Sequence, residues 1–443
     1  MIENMELLYG RQITQDNIDF TMISENLLSK RVAIKVNRKN IYCYRCGQYS
    51  DKESSNLRTI FYCRKCINLG RLTSDNLLYT LPEQNSFEPN DNPSSWQGKL
   101  TTLQAKCSDK ICNVFANKQR HLLWAVTGAG KTEMLFKGIA WGIQNNLRIA
   151  IASPRIDVCV ELFPRIQAAF KNTEILLLHG RDDTPYAYRQ LTICTTHQLL
   201  KFYHAFDILI IDEVDSFPFV QDGGLQFAAK NATKKISSTL YLTATPSDEL
   251  LSDIRRKKLS VSYLPIRYHR HLLPIIQNHV ILNLSKQFDK NILNSRIIKL
   301  ISNKIISKQR FLLFMPRVAD LTIMSDILSN HFDRHLWKTV YSEDVDRLKK
   351  VQSMRENEIL FLITTTILER GVTFPGIDVI VFNADHDNFS TSALVQIAGR
   401  VGRNSDRPNG NVDFLINCKT RSILNAVKQI KYMNKLGSRI KDE

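Results

Sequence analysis

The sequence lacks any long apolar run: no stretch approaches the ~18 to 20 residues that a membrane-spanning helix needs. It also lacks the positive charge of an export signal, because residues 1–10 carry Glu3 and Glu6 instead. It has no short internal repeat and no low-complexity tract, and its 43% hydrophobic and 23% charged residues are ordinary globular values. These features argue against a fibrous or mostly disordered chain, and we expect a protein of the cytosol with a sizeable core.

Cysteine is present in an odd number, nine residues, which does not suit a framework of disulfides. Four of the nine form two pairs, Cys43-x-x-Cys46 and Cys63-x-x-Cys66, with sixteen residues between the pairs. This is the spacing of a four-thiolate zinc knuckle. Four thiolates leave no open coordination position, so we predict a structural Zn²⁺ site that folds a segment too small to bury its own core.

Aromatic and basic side chains alternate around these four cysteines. They are Tyr42, Tyr44, Arg45, Phe61, Tyr62, Arg64 and Lys65. Such a mixture suits the binding of a single nucleic-acid strand. The same aromatic rings would also pack a small metal module, and the pattern leaves both interpretations open.

Acidic residues are in short supply. Lys and Arg number 60 and Asp and Glu 43, which gives a formal net charge of +17. Like charges repel one another within a fold, whereas a polyanion offers them partners and releases counterions. We therefore expect nucleic acid or an acidic membrane surface as a partner, with a merely basic soluble protein as the alternative.

The length of 443 residues corresponds to roughly three domain units. After the cysteine pairs and a polar stretch at residues 82–95, short apolar runs alternate with longer helical patterns, which is typical of parallel sheets covered by helices. The alternation restarts after residue 290, so we predict an α/β chain with two parallel-sheet lobes in series behind a small four-cysteine module. The predicted parts are 1–90 (zinc module and linker), 91–260 (first lobe), 261–294 (hinge or extension) and 295–443 (second lobe). The predicted strands are 121–126, 149–153, 174–178, 191–195, 208–212 and 239–245, then 311–315, 339–341, 359–364, 379–383 and 412–417.

A phosphate-binding loop is predicted at residues 125–132, which read AVTGAGKT between a strand and a helix. Backbone N–H groups of Thr127, Gly128, Ala129 and Gly130 would converge on phosphate oxygens, aided by the helix N-terminus. Lys131 would neutralise the β and γ phosphates, and the Thr132 hydroxyl would bind Mg²⁺.

Carboxylates follow a buried apolar strand at residues 208–215, which read ILIIDEVD. They lie at the carboxyl end of that strand, where α/β sheets place their ligands. Asp212 would hold Mg²⁺ through its waters, and Glu213 would orient or deprotonate an attacking water. Together with the loop, this pattern predicts hydrolysis of a nucleoside triphosphate, ATP.

Residues 396–403 of the second lobe read QIAGRVGR, which places Gln396, Gly399, Arg400 and Arg403 on one face of a predicted helix. An arginine face directed at the loop would stabilise charge on the transferred phosphoryl group. Because such arginines come from the opposite lobe, hydrolysis would be coupled to closing of the cleft. A solvated basic helix face is the alternative interpretation.

Hydroxyl groups are concentrated at residues 364–373, where a predicted strand ends in a turn. Thr365 and Thr366 would bind nucleic-acid phosphates without reading sequence. Thr243 and Thr245, at the end of a strand in the first lobe, would relay between the phosphate site and the strand site, although a plain strand terminus has the same pattern.

These motifs resemble those of superfamily 2 helicases over roughly residues 96–410. The resemblance implies two RecA-like lobes, a nucleotide site that includes Gly371, and an adenine-reading glutamine at Gln104. It also implies nucleic-acid contacts in the first lobe at Arg155, Thr195 and Thr196.

A narrower resemblance covers nearly the whole chain. The cysteine module, the segment WQGKLTTLQ at 96–104, DEVDSFP at 212–218, LERGVTFP at 368–375 and Asp385-His386 are similar to the ComFA family of late competence ATPases. The resemblance implies an ATPase at the inner face of the membrane that helps to draw single-stranded DNA through an uptake channel. The implied partners are ComEC and ComFC, and homo-oligomerisation stays open.

The leading hypothesis is therefore an ATP-driven translocase or helicase of single-stranded DNA that serves natural transformation. A replication-restart 3′–5′ DNA helicase also combines zinc with such lobes, but its cysteines interrupt the lobes instead of preceding them. RNA helicases are disfavoured by DEVD in place of their usual tetrad. A nucleotide-gated scaffold that holds single-stranded DNA without net movement would not need Lys131, Glu213, Arg400 and Arg403 together.

Overall fold

The computed structural model describes residues 1–180, 185–369, 374–403 and 407–441. The chain divides into two compact units. The first comprises Met1–Trp124 and Lys131–Tyr263, and the second comprises Ala125–Gly130 and Leu264–Glu443. None of the helices among the described residues combines the length and the apolar character needed to cross a bilayer.

Short antiparallel strands build the N-terminal part of the first unit. They are β1 (Ile13–Thr14), β2 (Ser29–Val32), β3 (Ile34–Val36), β4 (Asn40–Cys43), β5 (Tyr49–Asp51), β6 (Asn56–Leu57), β7 (Ile60–Phe61) and β8 (Leu77–Thr80). They form sheets in the orders β1-β8-β2, β3-β4-β5 and β6-β7. A small apolar cluster that includes Leu8, Ile18 and Tyr79 packs beneath the first of these sheets.

A seven-stranded sheet forms the centre of the first unit, in the order β11-β12-β10-β13-β14-β9-β15. Its strands are β9 (Arg120–Ala125), β10 (Ile149–Ser153), β11 (Ile175–Leu178), β12 (Leu191–Thr195), β13 (Phe206–Asp212), β14 (Thr233–Thr243) and β15 (Ser260–Leu264). The helices are α1 (Thr102–Ala116), α2 (Phe136–Gln144), α3 (Ile156–Ala169), α4 (Gly223–Ala232) and α5 (Asp248–Arg255). The pairings from β11 across to β9 are parallel, and β10, β12 and β13 are buried along their whole length. Continuous apolar strands of this kind are expected where helices cover both faces of a parallel sheet.

The polar stretch predicted as a linker is attached to the first unit at several points. Asn85 donates a hydrogen bond to Asp207 at 3.0 Å, and the Ser95 amide donates to the Ala169 carbonyl at 2.7 Å. Glu83 forms an ion pair with Arg148, a fully buried arginine that precedes β10. These contacts join the N-terminal part of the unit to its central sheet.

The second unit has a six-stranded parallel sheet in the order β16-β21-β20-β17-β19-β18. Its strands are β16 (Ile276–Val280), β17 (Phe311–Phe314), β18 (Trp337–Val340), β19 (Phe361–Thr364), β20 (Asp378–Val381) and β21 (Val412–Ile416). Its helices are α6 (Leu284–Phe288), α7 (Ser295–Ile306), α8 (Ala319–Ser329), α9 (Arg347–Arg355), α10 (Thr391–Ala398) and α11 (Arg421–Lys441). A core that includes Phe311, Trp337 and Phe361, whose rings stack, packs against this sheet.

The predicted fold class, two tandem RecA-like parallel-sheet lobes with a four-cysteine module before them, is confirmed. Each of the predicted strands overlaps an observed strand. The structure adds β15 and β16, which lie between the two sets of predicted strands. The predicted domain boundaries remain predictions.

Candidate nucleotide and metal sites

The predicted phosphate-binding loop follows the end of β9 and belongs, through Gly130, to the second unit. Gly128 and Gly130 have φ values of 77° and 73°, in the left-handed region that glycine adopts without steric cost. Their conformation turns the backbone sharply at the place where amide groups are expected to face phosphate. A short 3₁₀ turn (Glu133–Leu135) and α2 follow the loop, which is the predicted strand–loop–helix arrangement.

Lys131 and Asp212 are brought together in the first unit, with 3.8 Å between Lys131 Nζ and Asp212 Oδ1. Asp212 is the last residue of β13 and is 9% exposed. Burial raises the pKa of Asp212, while the neighbouring Lys131 ammonium acts in the opposite direction. A further cation beside this buried carboxylate would stabilise its charged form, as expected for a Mg²⁺ ligand. Thr132, the second predicted Mg²⁺ ligand, is also buried.

Glu213 turns the chain away from the end of β13. Its φ of 52° lies in the left-handed region, which is uncommon for a residue with a side chain. Its amide donates to Asp212 Oδ1 at 2.8 Å, and its carboxylate accepts a hydrogen bond from Ser216 at 3.2 Å. The strand end thus fixes the backbone of both predicted catalytic carboxylates.

Asp215 accepts hydrogen bonds from the hydroxyls of both Thr243 and Thr245. Thr243 ends β14, and its hydroxyl oxygen also accepts from the Thr245 amide at 2.8 Å. The threonine pair is therefore bonded to the carboxylate two residues after Glu213. This direct link was not predicted, because the pairing of β13 with β14 is not visible in the sequence.

The four residues predicted on one helical face do not all lie in a helix. α10 ends at Ala398, so Gln396 is inside the helix and Gly399 caps it. Arg400 lies in the turn after the helix, residues 399–402, and Arg403 directly follows this turn. The prediction of a continuous helix is wrong: beyond Ala398 the amides of Arg400 and Val401 bond to carbonyls only three residues back, and the chain then reverses at Gly402, which has a φ of 73°.

Arg400 and Arg403 each donate a hydrogen bond to a backbone carbonyl. Arg400 is 2% exposed, and its Nε donates to the Glu369 carbonyl at 2.8 Å. Arg403 Nε donates to the Gly399 carbonyl at 3.1 Å. Arg267, which no sequence motif indicated, is buried against the same turn and donates to the carbonyls of Gly399 and Gly402.

Gln104, predicted to read adenine, begins α1 as part of a capping box. Its side-chain oxygen accepts from the Thr101 amide at 2.9 Å, and the Thr101 hydroxyl accepts from the Gln104 amide at 3.3 Å. The side chain is 3% exposed. A part in nucleotide recognition stays a prediction.

The residues predicted to contact nucleic acid differ in their exposure. Thr195 and Thr196 are buried at 4% and 0%, whereas Arg155, Thr365 and Thr366 are partly exposed. Arg155 occupies the N-cap position of α3 without a capping hydrogen bond from its side chain. Gly371, assigned to the nucleotide site, lies outside the described residues, as do residues 370, 372 and 373. These assignments stay predictions.

The four paired cysteines form one buried cluster in which all Sγ atoms lie within 4.8 Å of one another. Cys43 and Cys66 are separated by 3.9 Å, and Cys46 and Cys63 by 3.7 Å. Tetrahedral zinc with bonds of about 2.3 Å to sulfur requires separations of about 3.8 Å between the sulfur atoms. The donor set and its spacing are therefore consistent with zinc.

Arg45 supports this cluster from its side. It is 8% exposed and donates to Cys66 Sγ at 3.2 Å, to the Cys66 carbonyl at 2.8 Å and to the Gly70 carbonyl at 2.7 Å. Its charge offsets part of the negative charge that four thiolates would carry. Arg45 thus has a structural place in the cluster, whereas Arg64 and Lys65 are exposed.

The cysteine cluster packs directly against the central part of the first unit. Its cysteines belong to one apolar core with residues of α4 such as Leu225 and Ala228. Gly47 has a φ of 66°, and a Cβ at this position would lie 2.4 Å from the ring of Phe227 on α4. The module therefore contacts the helix that follows the residues of the DEVD segment.

Family models match three consecutive parts of the chain. The model described as the competence protein ComFA N-terminal domain matches residues 2–80. The model of the type III restriction enzyme res subunit matches residues 97–248, and that of the helicase conserved C-terminal domain matches residues 293–405.

Curated relatives match over nearly the full length. The chain is 38% identical to competence protein ComFA of Streptococcus pneumoniae over 98% of both chains. It is 37% identical to competence protein ComFA of Bacillus subtilis, over 99% of this chain and 96% of that protein.

Solved helicase structures share the fold. Dbp5 of S. cerevisiae, bound to RNA and ADP BeF3, has a TM-score of 0.53 at 14% identity and covers 76% of this chain and 93% of its own. Helicase Lhr of Mycobacterium smegmatis, bound to ssDNA and AMP-PNP, has a TM-score of 0.52 at 14% identity and covers 77% of this chain and 50% of its own. With the family models, the cysteine cluster and the full-length relatives in agreement, the chain belongs to the ComFA family of competence proteins and is an ATP-dependent, helicase-type enzyme.

Proposed function

We propose that this chain hydrolyses ATP to move single-stranded DNA during uptake in natural transformation. The observation that carries the proposal is the grouping of Lys131, Asp212 and Glu213 at one strand end, in a chain similar over its full length to competence proteins. A protein that only held DNA would not need this hydrolytic set.

The residues divide the chemistry between them. Thr132 and Asp212 would hold Mg²⁺, which supplies positive charge beside the β and γ phosphates. Lys131 adds a second cation there. Glu213 would accept the proton of the water that attacks the γ phosphorus, as the bond to the β-phosphate oxygen breaks and ADP leaves.

Arg400 and Arg403 would stabilise the charge that develops on the γ-phosphoryl group, with Gln396 positioned beside them. Thr127, Gly128, Ala129 and Gly130 would bind phosphate oxygens through their backbone, and Gln104 and Gly371 would complete the nucleotide site. These roles rest on residue type, on motif position and on the contacts described above.

The bond between Asp215 and the threonine pair supports a link between hydrolysis and strand binding. Glu213 and Asp215 share one turn, Thr243 ends the neighbouring strand, and Thr245 follows it two residues later. If the turn changed conformation when the γ phosphate is lost, the hydrogen bonds of Asp215 would transmit that change to the end of β14. Strand contacts would come from Arg155, Thr195 and Thr196 in one lobe and Thr365 and Thr366 in the other.

The remaining parts of the proposal are supported by the sequence pattern and by family membership. Residues 1–90 would form the zinc module and linker, 91–260 and 295–443 the two lobes, and 261–294 the hinge. Zn²⁺ bound by Cys43, Cys46, Cys63 and Cys66 would hold the module folded. The chain would act at the inner face of the membrane with ComEC and ComFC, either alone or as a homo-oligomer.

Steady-state ATP turnover with and without single-stranded DNA tests the proposal. We expect DNA to stimulate turnover, and a matched RNA strand to stimulate it less. Glu213→Gln should lower turnover by a factor of about 10³ or more while strand binding persists, because proton acceptance is lost and the surrounding fold is kept. Glu161→Gln, at an exposed position on α3, is the matched control.

If single-stranded DNA did not change the rate of ATP turnover, the proposal that hydrolysis moves DNA would be contradicted. Full activity of Glu213→Gln would contradict the assigned catalytic role, and loss of DNA binding in that variant would contradict the separation of the two functions.

A further inference from the structure

Arg267 is a buried cation in the second unit. It is 2% exposed, follows β15 in the chain and lies outside every motif described above. Its Nη1 donates to the Gly402 carbonyl at 2.6 Å and its Nη2 to the Gly399 carbonyl at 3.3 Å. One guanidinium thus holds both ends of the turn that carries Arg400.

No described carboxylate forms an ion pair with Arg267, and its Nε has no hydrogen-bond partner in the described part of the chain. Burial, with a smaller contribution from the positive charge of Arg403, lowers the pKa of Arg267 to about 9. A buried charge without an opposite charge is costly. Within the described residues the charge of Arg267 is therefore uncompensated, and an anion would stabilise it.

The phosphate-binding loop lies beside this arginine within the same unit. The Gly128 carbonyl accepts from the amide of Tyr268, the next residue after Arg267, at 3.0 Å. A Cβ at Gly128 would lie 3.9 Å from Arg267 Cγ. An anion bound by the loop would therefore be close to the uncompensated guanidinium.

The loop also contacts the turn itself. The Thr127 hydroxyl donates to the Gly399 carbonyl at 3.3 Å. A Cβ at Gly399 would lie 2.1 Å from Thr127 Oγ1, so this approach requires glycine. Arg267 and Thr127 consequently bind the same carbonyl from two different segments.

We propose that Arg267 is a positioning residue for ATP hydrolysis: it holds the turn at residues 399–402 against the phosphate-binding loop, and the triphosphate supplies the negative charge that this arrangement lacks. The inference rests on the proposed ATPase function. Arg267 acts through Arg400 and Arg403, whose backbone it holds in place. Its charge favours the triphosphate over the diphosphate, because the γ phosphate adds negative charge.

The test compares Arg267→Gln and Arg267→Lys in the full chain, with Arg270→Gln as the matched control at an exposed position of the same segment. The measurements are kcat and KM for ATP, the dissociation constants of ADP and AMP-PNP, and the thermal midpoint without nucleotide. A purely structural arginine would change the midpoint and leave the ratio of the two affinities unchanged.

Removal of the charge in Arg267→Gln should lower kcat by roughly tenfold or more and reduce the preference for AMP-PNP over ADP. Arg267→Lys should keep that preference, because the charge remains, but should still lower kcat, because one ammonium does not match a guanidinium that reaches two carbonyls. Arg270→Gln should stay within about twofold of the parent chain in every measurement.

A folded Arg267→Gln chain with parent kcat and an unchanged affinity ratio overturns the inference while the ATPase proposal stands. If Arg267→Gln does not fold, Arg267→Lys decides by its kcat: a parent value overturns the inference and a lowered value with a retained affinity ratio supports it. A parent chain that does not hydrolyse ATP overturns the proposed function instead.

Discussion

Asp212 and Asp215 show how two nearby carboxylates take different roles. Asp212 ends a buried strand, and its carboxylate lies beside the Lys131 ammonium, where we predict that it binds a metal ion. Asp215 is committed to two threonine hydroxyls, which bond it to the end of the adjacent strand. The same residue type is thus placed once beside a lysine ammonium and once between two threonine hydroxyls, and the difference comes from which side chains the fold brings alongside.

A buried histidine predicts how stability depends on pH. His121 is fully buried on β9, with Nδ1 at 2.7 Å from Ser260 Oγ and Nε2 at 2.9 Å from Ser262 Oγ. Burial, with a smaller contribution from Lys110, lowers its pKa to about 4. In the unfolded chain a histidine titrates near pH 6.5. As the pH falls below 6.5, His121 becomes protonated in the unfolded chain but stays neutral in the folded chain. The free energy of unfolding therefore decreases between about pH 6.5 and 4.

We expect the free energy of unfolding to be about 1 kcal/mol lower at pH 5.5 than at pH 7.5 through this residue alone. Denaturant unfolding of the parent chain and of His121→Gln at the two pH values measures the effect, which should disappear in the variant. His335→Gln, at an exposed position, is the control and should behave as the parent chain does. An equal pH dependence in all three chains would contradict this assignment.

The element that connects the four-cysteine cluster with the segment beginning at Asp212 is α4. It begins at Gly223, after the segment that starts with Asp212, and its residues share a core with the four cysteines. The contact between Gly47 and Phe227 leaves no room for a side chain on the knuckle. The zinc module is consequently packed as part of the first unit.

Removal of the metal should therefore destabilise the first unit as well as the knuckle. Cys43→Ser with Cys46→Ser removes two of four ligands and should reduce zinc content from about one atom per chain to none. The thermal midpoint should fall by several degrees, because the knuckle can no longer hold its contact with α4. Metal analysis and a thermal melt measure the two outcomes.

Cys112→Ser, at a partly buried cysteine outside the cluster, is the control and should keep its zinc. Unchanged metal content in the double variant would refute the ligand assignment. Metal loss without any change in the thermal midpoint would refute the packing argument, while the assignment of the zinc ligands would stand.

At the scale of the whole molecule, the net charge of +17 predicts binding that depends on salt. Each phosphate of a single strand that the protein neutralises contributes a slope of roughly −0.7 to the logarithm of affinity against that of salt. With about four phosphates neutralised, affinity should fall roughly 50-fold between about 50 and about 200 mM salt. A titration of a labelled oligonucleotide at several salt concentrations measures the slope. An affinity that does not change with salt concentration would contradict a role of the basic residues in binding the phosphates of the strand.

The sequence alone determined the fold class, the succession of strands along the chain and the grouping of the four paired cysteines, and it predicted the main residues of a nucleotide site. These depend on local physics: apolar periodicity, the spacing of ligands along the chain, and glycines in the left-handed region. Gly128, Gly130 and the paired cysteines are readable because their chemistry is confined to a few consecutive residues.

Only the tertiary structure decided which distant groups meet. The threonine pair bonds to Asp215 because β13 and β14 are neighbours. Arg45 belongs to the cysteine cluster through four hydrogen bonds to two residues, Cys66 and Gly70, which lie 21 and 25 positions further along the chain. The end of α10 before Gly399 and the burial of Arg267 against the same turn also depend on long-range packing. A buried polar group must find its partners wherever the fold brings them, and no local pattern of residues encodes that choice.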